Sequence, residues 1–141
     1  MQNRMRVIFH GGVVMMVGLL CGFPTVAEEE SGRLWHTAHE SLIMMGILMF
    51  AMSSVIQYLV LPKRESTALV WSLLGTGYGF MIGFVIQAMT NQHAFGPSRN
   101  PILMVAFVGN ATGILGSILT ASLTMMGARA ARAVHAAEVT A

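Results

Sequence analysis

Four long apolar runs dominate this chain of 141 residues and leave few folds open to it. The runs cover residues 7–23, 41–61, 67–89 and 102–126. The hydrocarbon core of a bilayer is ~30 Å thick, and a helix of ~20 apolar residues crosses it. Because a chain in lipid must satisfy its own backbone hydrogen bonds, each run is predicted to be a helix. The sequence therefore predicts an all-α, integral membrane four-helix bundle that forms a single domain.

The scarcity of charge supports the same interpretation. Only 10% of the residues are charged and 55% are hydrophobic, whereas soluble domains carry about 25% charged residues. A surface this poor in charge is expected to face lipid, so the bilayer is the predicted partner. The basic residues form no stripe interleaved with aromatic side chains, and nucleic-acid binding is therefore not expected.

The basic residues also predict the orientation of the bundle. Six of them lie at the N-terminus, in the turn after the second run and in the C-terminal tail, residues 127–141; they are Arg4, Arg6, Lys63, Arg64, Arg129 and Arg132. The other side holds two, Arg33 and Arg99, against Glu28, Glu29, Glu30 and Glu40. Cytoplasmic loops carry the excess of Lys and Arg. Both termini are therefore predicted to be cytoplasmic, in an inner membrane of the bacterial type.

The first run has a second interpretation. Residues 1–27 have a basic start, an apolar middle and the segment ending at Ala27, a pattern that is also typical of a secretory signal peptide. Cleavage after Ala27 would leave three spans and would not change the orientation of the others. Both alternatives are open from the sequence.

Glycines at helical spacing mark predicted contacts between helices. Gly75, Gly79 and Gly83 are four residues apart in the third run, and Gly109 and Gly113 repeat that spacing in the fourth. Small residues let helix backbones approach closely in lipid. These stripes predict either a close-packed bundle or docking to other membrane subunits, including a second copy of the chain.

Three of the five histidines are predicted to gather at the outer face. They are His36, His39 and His93, whereas His10 and His135 are placed at or near the inner side. Imidazole is a common ligand for iron, copper and zinc, so the three are candidate cofactor ligands, with His39 and His93 as candidate metal ligands. The alternative is that they anchor helix ends at the interface, beside Trp35.

Residues 37–45 and 58–62 resemble the second helix of haem-copper oxidase subunit I and of the related nitric oxide reductases. They contain a Thr-Ala-His element ending at His39 and an aromatic-Leu-Val-Leu-Pro element ending at Pro62. In that family the matching histidine is an axial ligand of a low-spin haem. The resemblance implies that His39 binds haem b, with His36, His93 or a partner subunit at the other axial position.

Three functions follow from these patterns. The first is a haem-binding protein or a component of a membrane electron-transfer, respiratory complex. The second is a non-catalytic accessory subunit that docks through its glycine stripes, and the third is an outer-face metal-binding protein. The chain lacks the later histidine-rich helices of the oxidases, so whether it is an enzyme is open and activity on its own is not expected.

Overall fold

The computed structural model describes residues 2–25 and 32–140, and four long helices account for most of them. They are α1 (Gln2–Leu20), α3 (Gly32–Val55), α4 (Lys63–Thr90) and α5 (Pro101–Thr140), with a one-turn helix α2 (Gly22–Thr25) after α1 and a 3₁₀ turn (Ile56–Tyr58) after α3. Four segments are long and apolar enough to cross a membrane: Asn3–Pro24, Gly32–Tyr58, Lys63–Thr90 and Pro101–Val139. The predicted all-α four-helix bundle is confirmed.

The helices extend beyond the apolar runs that predicted them. The second crossing helix begins at Gly32 rather than near residue 41, and α5 continues through the predicted tail as far as Thr140. The acidic residues Glu28, Glu29 and Glu30 and the proposed cleavage point after Ala27 lie outside the described residues. Signal-peptide cleavage therefore stays a prediction.

Side-chain and backbone caps set the ends of α4 and α5. Asn91 ends α4 in the left-handed conformation, with φ of 50°, and its N–H donates to the Ala88 carbonyl. Left-handed residues at this position are a common way to end a helix, and asparagine tolerates the conformation. Asn100 begins α5, because its Oδ1 accepts the N–H of Ile102 at 3.0 Å.

Glycines allow α1 and α3 to pack with their backbones close together. A Cβ atom added at Gly46 of α3 would lie 2.5 Å from Cβ of Met15, and one added at Gly18 of α1 would lie 2.9 Å from Cβ of Leu42. Real Cβ atoms do not approach so closely, so only glycine fits at these two positions. The crossing buries Val7, Val14 and Leu42.

The predicted glycine stripes of α4 and α5 face each other inside the bundle. A Cβ at Gly79 would lie 2.6 Å from the carbonyl oxygen of Gly109, and one at Gly116 would lie 2.6 Å from Oγ1 of Thr76. Of the two alternatives drawn from the stripes, the close-packed bundle is the one observed. Docking to other membrane subunits would need a different surface, because these glycines are already used.

The outer surface of the bundle is rich in exposed apolar side chains. Among the most exposed are Phe9, Phe23, Met44, Trp71 and Leu115, each with at least 63% of its surface accessible. Large apolar surfaces of this kind are covered by lipid in a membrane. The protein is thus a multi-pass membrane protein whose helices contact the bilayer.

Candidate functional site

His39 lies on α3 with its ring turned toward two glycines of the first span. Its Nδ1 is 2.9 Å from the carbonyl oxygen of Gly18, and a Cβ added at Gly22 would lie 2.8 Å from the same nitrogen. The ring is half-buried. Gly18 and Gly22 are one helical turn apart, so together they leave the space that the imidazole fills.

This hydrogen bond fixes the tautomer of His39. A carbonyl oxygen can only accept a hydrogen bond, so Nδ1 must carry the proton. In the neutral ring Nε2 then has its lone pair free to bind a ligand. Metal-binding histidines commonly donate their other ring N–H to a backbone carbonyl in this way. His39 shares this one feature with metal-ligating histidines.

The other two histidines of the predicted trio have different partners. His36 is exposed and pairs with Glu40, one helical turn further along, with 3.5 Å between Nδ1 and Oε2. His93 is exposed in the loop between α4 and α5, where its ring stacks on Phe95 at a centroid distance of 5.5 Å. Across residues 2–25 and 32–140, no three His, Cys, Asp or Glu side chains form a group that could hold a metal ion.

Two buried amides hold the loop that carries His93. Oε1 of Gln87 accepts the N–H of Ala94 at 3.1 Å, and Nδ2 of Asn110 donates to the Ala94 carbonyl at 3.2 Å. Amides inside membrane-spanning helices commonly form hydrogen bonds between helices. These two bond instead to the loop between α4 and α5, and so fix its position against both helices.

A second polar site, which sequence reasoning missed, lies between α1 and α4. Nδ1 of His10 is 2.7 Å from the hydroxyl oxygen of Tyr78, and the two rings meet edge to face. They line a cleft of about 420 Å³ together with Arg6, Trp71 and Leu74. The signal available in the sequence was the four-residue spacing of Arg6 and His10, which places both on one face of a helix.

His10 lies inside the candidate span Asn3–Pro24. Its neighbour Gly11 packs on Met49, which is nine residues from Tyr58, the last residue of the span Gly32–Tyr58. Nine residues of helix correspond to ~13 Å. His10 and Tyr78 therefore lie inside the candidate membrane spans and not at their ends.

The fold and these sites define a small, multi-pass membrane protein of four crossing helices with imidazoles held inside its spans. The sequence model of the styrene oxide isomerase family matches residues 3–129, and the chain belongs to that family. No match was found among curated proteins, and none among solved structures.

Because the chain belongs to this family, the relationship to haem-copper oxidase subunit I that was predicted from the sequence is wrong. The residues that carried the resemblance follow from the environment of any crossing helix. Lipid requires a Met-, Leu- and Phe-rich sequence in the hydrocarbon layer, and aromatic residues are enriched at both of its boundaries. The Thr-Ala-His element at residues 37–39 is too short to outweigh a match along nearly the whole chain.

Proposed function

We propose that this protein is a membrane-embedded isomerase of small apolar epoxides, of the class that its family is named for. The observation that carries the proposal is the match of residues 3–129 to the styrene oxide isomerase family. The fold supports it, because an aryl epoxide dissolves in the hydrocarbon layer and can reach the lipid-exposed helices directly. Localisation in a bacterial-type inner membrane remains part of the proposal and rests on the positive-inside pattern.

The chemistry of such an isomerisation sets what the protein must supply. One C–O bond of the three-membered ring breaks, a hydrogen migrates with its electron pair to the neighbouring carbon, and the oxygen becomes that of an aldehyde or ketone. No atom is gained or lost, and no electron leaves the molecule. The reaction needs an acid at the epoxide oxygen and a site that excludes water. It does not need the electron-transfer partner that the sequence analysis hypothesised.

We propose His39 as the ligand of a haem cofactor. Support comes from its Nδ1–H donating to the Gly18 carbonyl, which leaves Nε2 free and holds the ring in place. When bound, a ferric haem would supply a Lewis acid for the epoxide oxygen. His39 would hold the group through Nε2, and Gly18 and Gly22 keep the imidazole ring in place.

Of the predicted histidine trio, we propose that His39 alone would hold the haem. The resemblance to the haem-copper oxidases implied a second ligand from His36, His93 or a partner subunit. His36 is engaged by Glu40 and His93 by Phe95, and neither contact points to a shared ligand with His39. An outer-face site for zinc or copper at His39 and His93 stays a prediction that metal analysis would test.

The experiment is an isomerisation assay combined with an optical spectrum. Membranes containing the full-length protein are expected to convert styrene oxide to phenylacetaldehyde, measured by gas chromatography against membranes without it. The purified protein is expected to show a Soret band. His39→Ala should abolish the band and lower the rate by about 100-fold or more, since losing only the supporting partner of a ligand costs ~10–100-fold.

His135→Ala is the matched control, because it removes an exposed histidine of the C-terminal part of α5, which has no contact with His39. It is expected to leave both the rate and the spectrum unchanged. No conversion of styrene oxide or its ring-substituted analogues by the wild-type protein would overturn the proposed activity. Conversion of styrene oxide by a protein without visible absorption would agree with the proposed activity and would contradict the proposed haem cofactor.

A further inference from the structure

Arg6 is a cation that forms no ion pair with any carboxylate of residues 2–25 and 32–140. It is exposed on α1, and the ion pairs of the described residues join His36 to Glu40 and His135 to Glu138. Arg6 belongs to neither pair. A charge near the hydrocarbon layer is costly unless it is paired or reaches the interface, so Arg6 is expected to take a counter-ion from its surroundings.

The cleft beside Arg6 offers hydrogen-bond donors and no anionic group. Its polar lining consists of Arg6, His10, Trp71 and Tyr78, and its apolar wall is Leu74. The guanidinium and the indole N–H can only donate. If Nδ1–H of His10 donates to the Tyr78 oxygen, the hydroxyl hydrogen of Tyr78 is free to donate to a ligand. A molecule that fits this cleft must therefore bring acceptor oxygens, and negative charge for Arg6.

The position of the cleft indicates where such a ligand comes from. Arg6 lies one helical turn closer than His10 to the N-terminus, which is predicted to be cytoplasmic, and long basic side chains reach toward the interface from such positions. Trp71 is 63% exposed on the lipid-facing side of the cleft, and aromatic residues of this kind are enriched near headgroups. The cleft thus opens to lipid in the inner half of the bilayer.

We propose that this cleft binds an anionic phospholipid of the inner leaflet. The headgroup phosphate lies on the Arg6 guanidinium, which matches phosphate oxygens with its planar fork of donors. The hydroxyl of Tyr78 donates to an oxygen deeper in the lipid, and an acyl chain lies along Leu74 and the face of Trp71. Basic pockets between helices on the cytoplasmic side are suited to such headgroups.

The two tryptophans of the chain make the proposal measurable. Replacing Trp35 by Phe leaves Trp71, on the wall of the cleft, as the only indole. Full-length protein with this replacement, in mild detergent, is titrated with phosphatidylglycerol carrying brominated acyl chains, and quenching of Trp71 fluorescence is followed. Half-maximal quenching is expected at a lower concentration than with brominated phosphatidylcholine. Inorganic phosphate at the same concentrations is expected not to reverse it.

Single-residue variants then test which side chains bind the lipid headgroup. Arg6→Gln is expected to raise the half-quenching concentration of phosphatidylglycerol about fivefold, the contribution of one basic residue near a membrane surface. Tyr78→Phe is expected to raise it about threefold by removing one donor. Arg4→Gln, which removes an exposed charge of α1 that does not line the cleft, is expected to leave it unchanged. Arg6→Lys retains the positive charge but lacks the planar fork of guanidinium donors, so it should give an intermediate half-quenching concentration. Such a value separates loss of lipid binding from loss of folding.

Four outcomes would overturn the proposal. Equal effects of Arg4→Gln and Arg6→Gln would show a diffuse attraction to the basic end of the bundle. Equal quenching by the two lipids would show that the headgroup is not recognised, and reversal by inorganic phosphate would assign the site to a free anion. Displacement of the lipid by micromolar styrene oxide would assign the cleft to the substrate.

Discussion

The ring of His39 is positioned by atoms that lie 21 residues away in the sequence. Topology alone places this histidine near the outer face, and its type makes it a candidate ligand. Which ring nitrogen is free depends on the Gly18 carbonyl, 2.9 Å from Nδ1, and no local pattern predicts that contact. The candidate residue was therefore predictable, whereas its tautomer, and with it the ring nitrogen that is left without a proton, required the packed structure.

Gly22 gives a test of this arrangement that leaves the proposed ligand in place. A Cβ there would lie 2.8 Å from Nδ1 of His39, so Gly22→Ala should displace the ring from Gly18. We expect haem affinity to fall ~10-fold, the lower end of the cost of losing a supporting contact. Titration of the apoprotein with haem measures it. Gly12→Ala, where the nearest atom is 3.9 Å away, serves as the control, and equal affinities for the two variants would contradict the account.

Gly83 supports the loop that carries His93 in an indirect way. A Cβ at this position would overlap Oδ1 of Asn110, the residue whose Nδ2 holds the Ala94 carbonyl. That oxygen is buried without a hydrogen-bond partner within the described residues, and it occupies the space that a Cβ at Gly83 would need.

Gly83→Ala is therefore expected to destabilise the protein by about 1–3 kcal/mol through overpacking. Thermal unfolding in detergent measures the loss as a lower midpoint. Gly96 lies on the same loop, and a Cβ added there would meet no atom within 4 Å. Gly96→Ala should therefore unfold at the same midpoint as the wild-type protein. A Gly83→Ala variant as stable as Gly96→Ala would show that the Asn110 side chain can move aside.

Hydropathy predicted the four crossing helices well because lipid imposes both their length and their composition. It did not predict where they end. Asn91 and Asn100 end and begin helices through local hydrogen bonds, which lie outside the apolar runs. α5 continues past residue 126 because residues 128–137 are rich in alanine, which has the highest helix propensity and needs no lipid to stay helical.

The crossing of α1 and α3 is the contact on which the His39 site depends. A side chain at Gly46 would meet Met15 of α1, so Gly46→Leu should push the two helices apart and break the bond from His39 to Gly18. We expect this variant to lose most of its bound haem and its isomerisation activity together, measured by the Soret absorbance and the aldehyde formed. Gly12→Leu, at the edge of the same contact, should retain both. Full activity in Gly46→Leu would show that the site does not need α1.

At the scale of the whole molecule, the orientation is a prediction that labelling can check. Cys21 is first replaced by Ser. A single cysteine is then introduced in place of either His93 or His135, which lie at opposite ends of the bundle. An impermeant maleimide is expected to label position 93 in intact spheroplasts and position 135 only after the membrane is opened, because six basic residues favour a cytoplasmic location for the termini. The reverse labelling pattern would show that the bundle has the opposite orientation. The cleft beside Arg6 would then lie in the outer leaflet.

The length of α5 has a practical consequence for handling this protein. Gly127 still packs on Leu59 and Leu61, in the turn between α3 and α4, and the helix runs on to Thr140. Thirteen further residues extend ~20 Å at 1.5 Å per residue. A fluorescent or affinity fusion joined at the C-terminus would stand clear of the detergent belt on a stiff spacer, whereas one joined before Gln2 would crowd the first helix and its arginines.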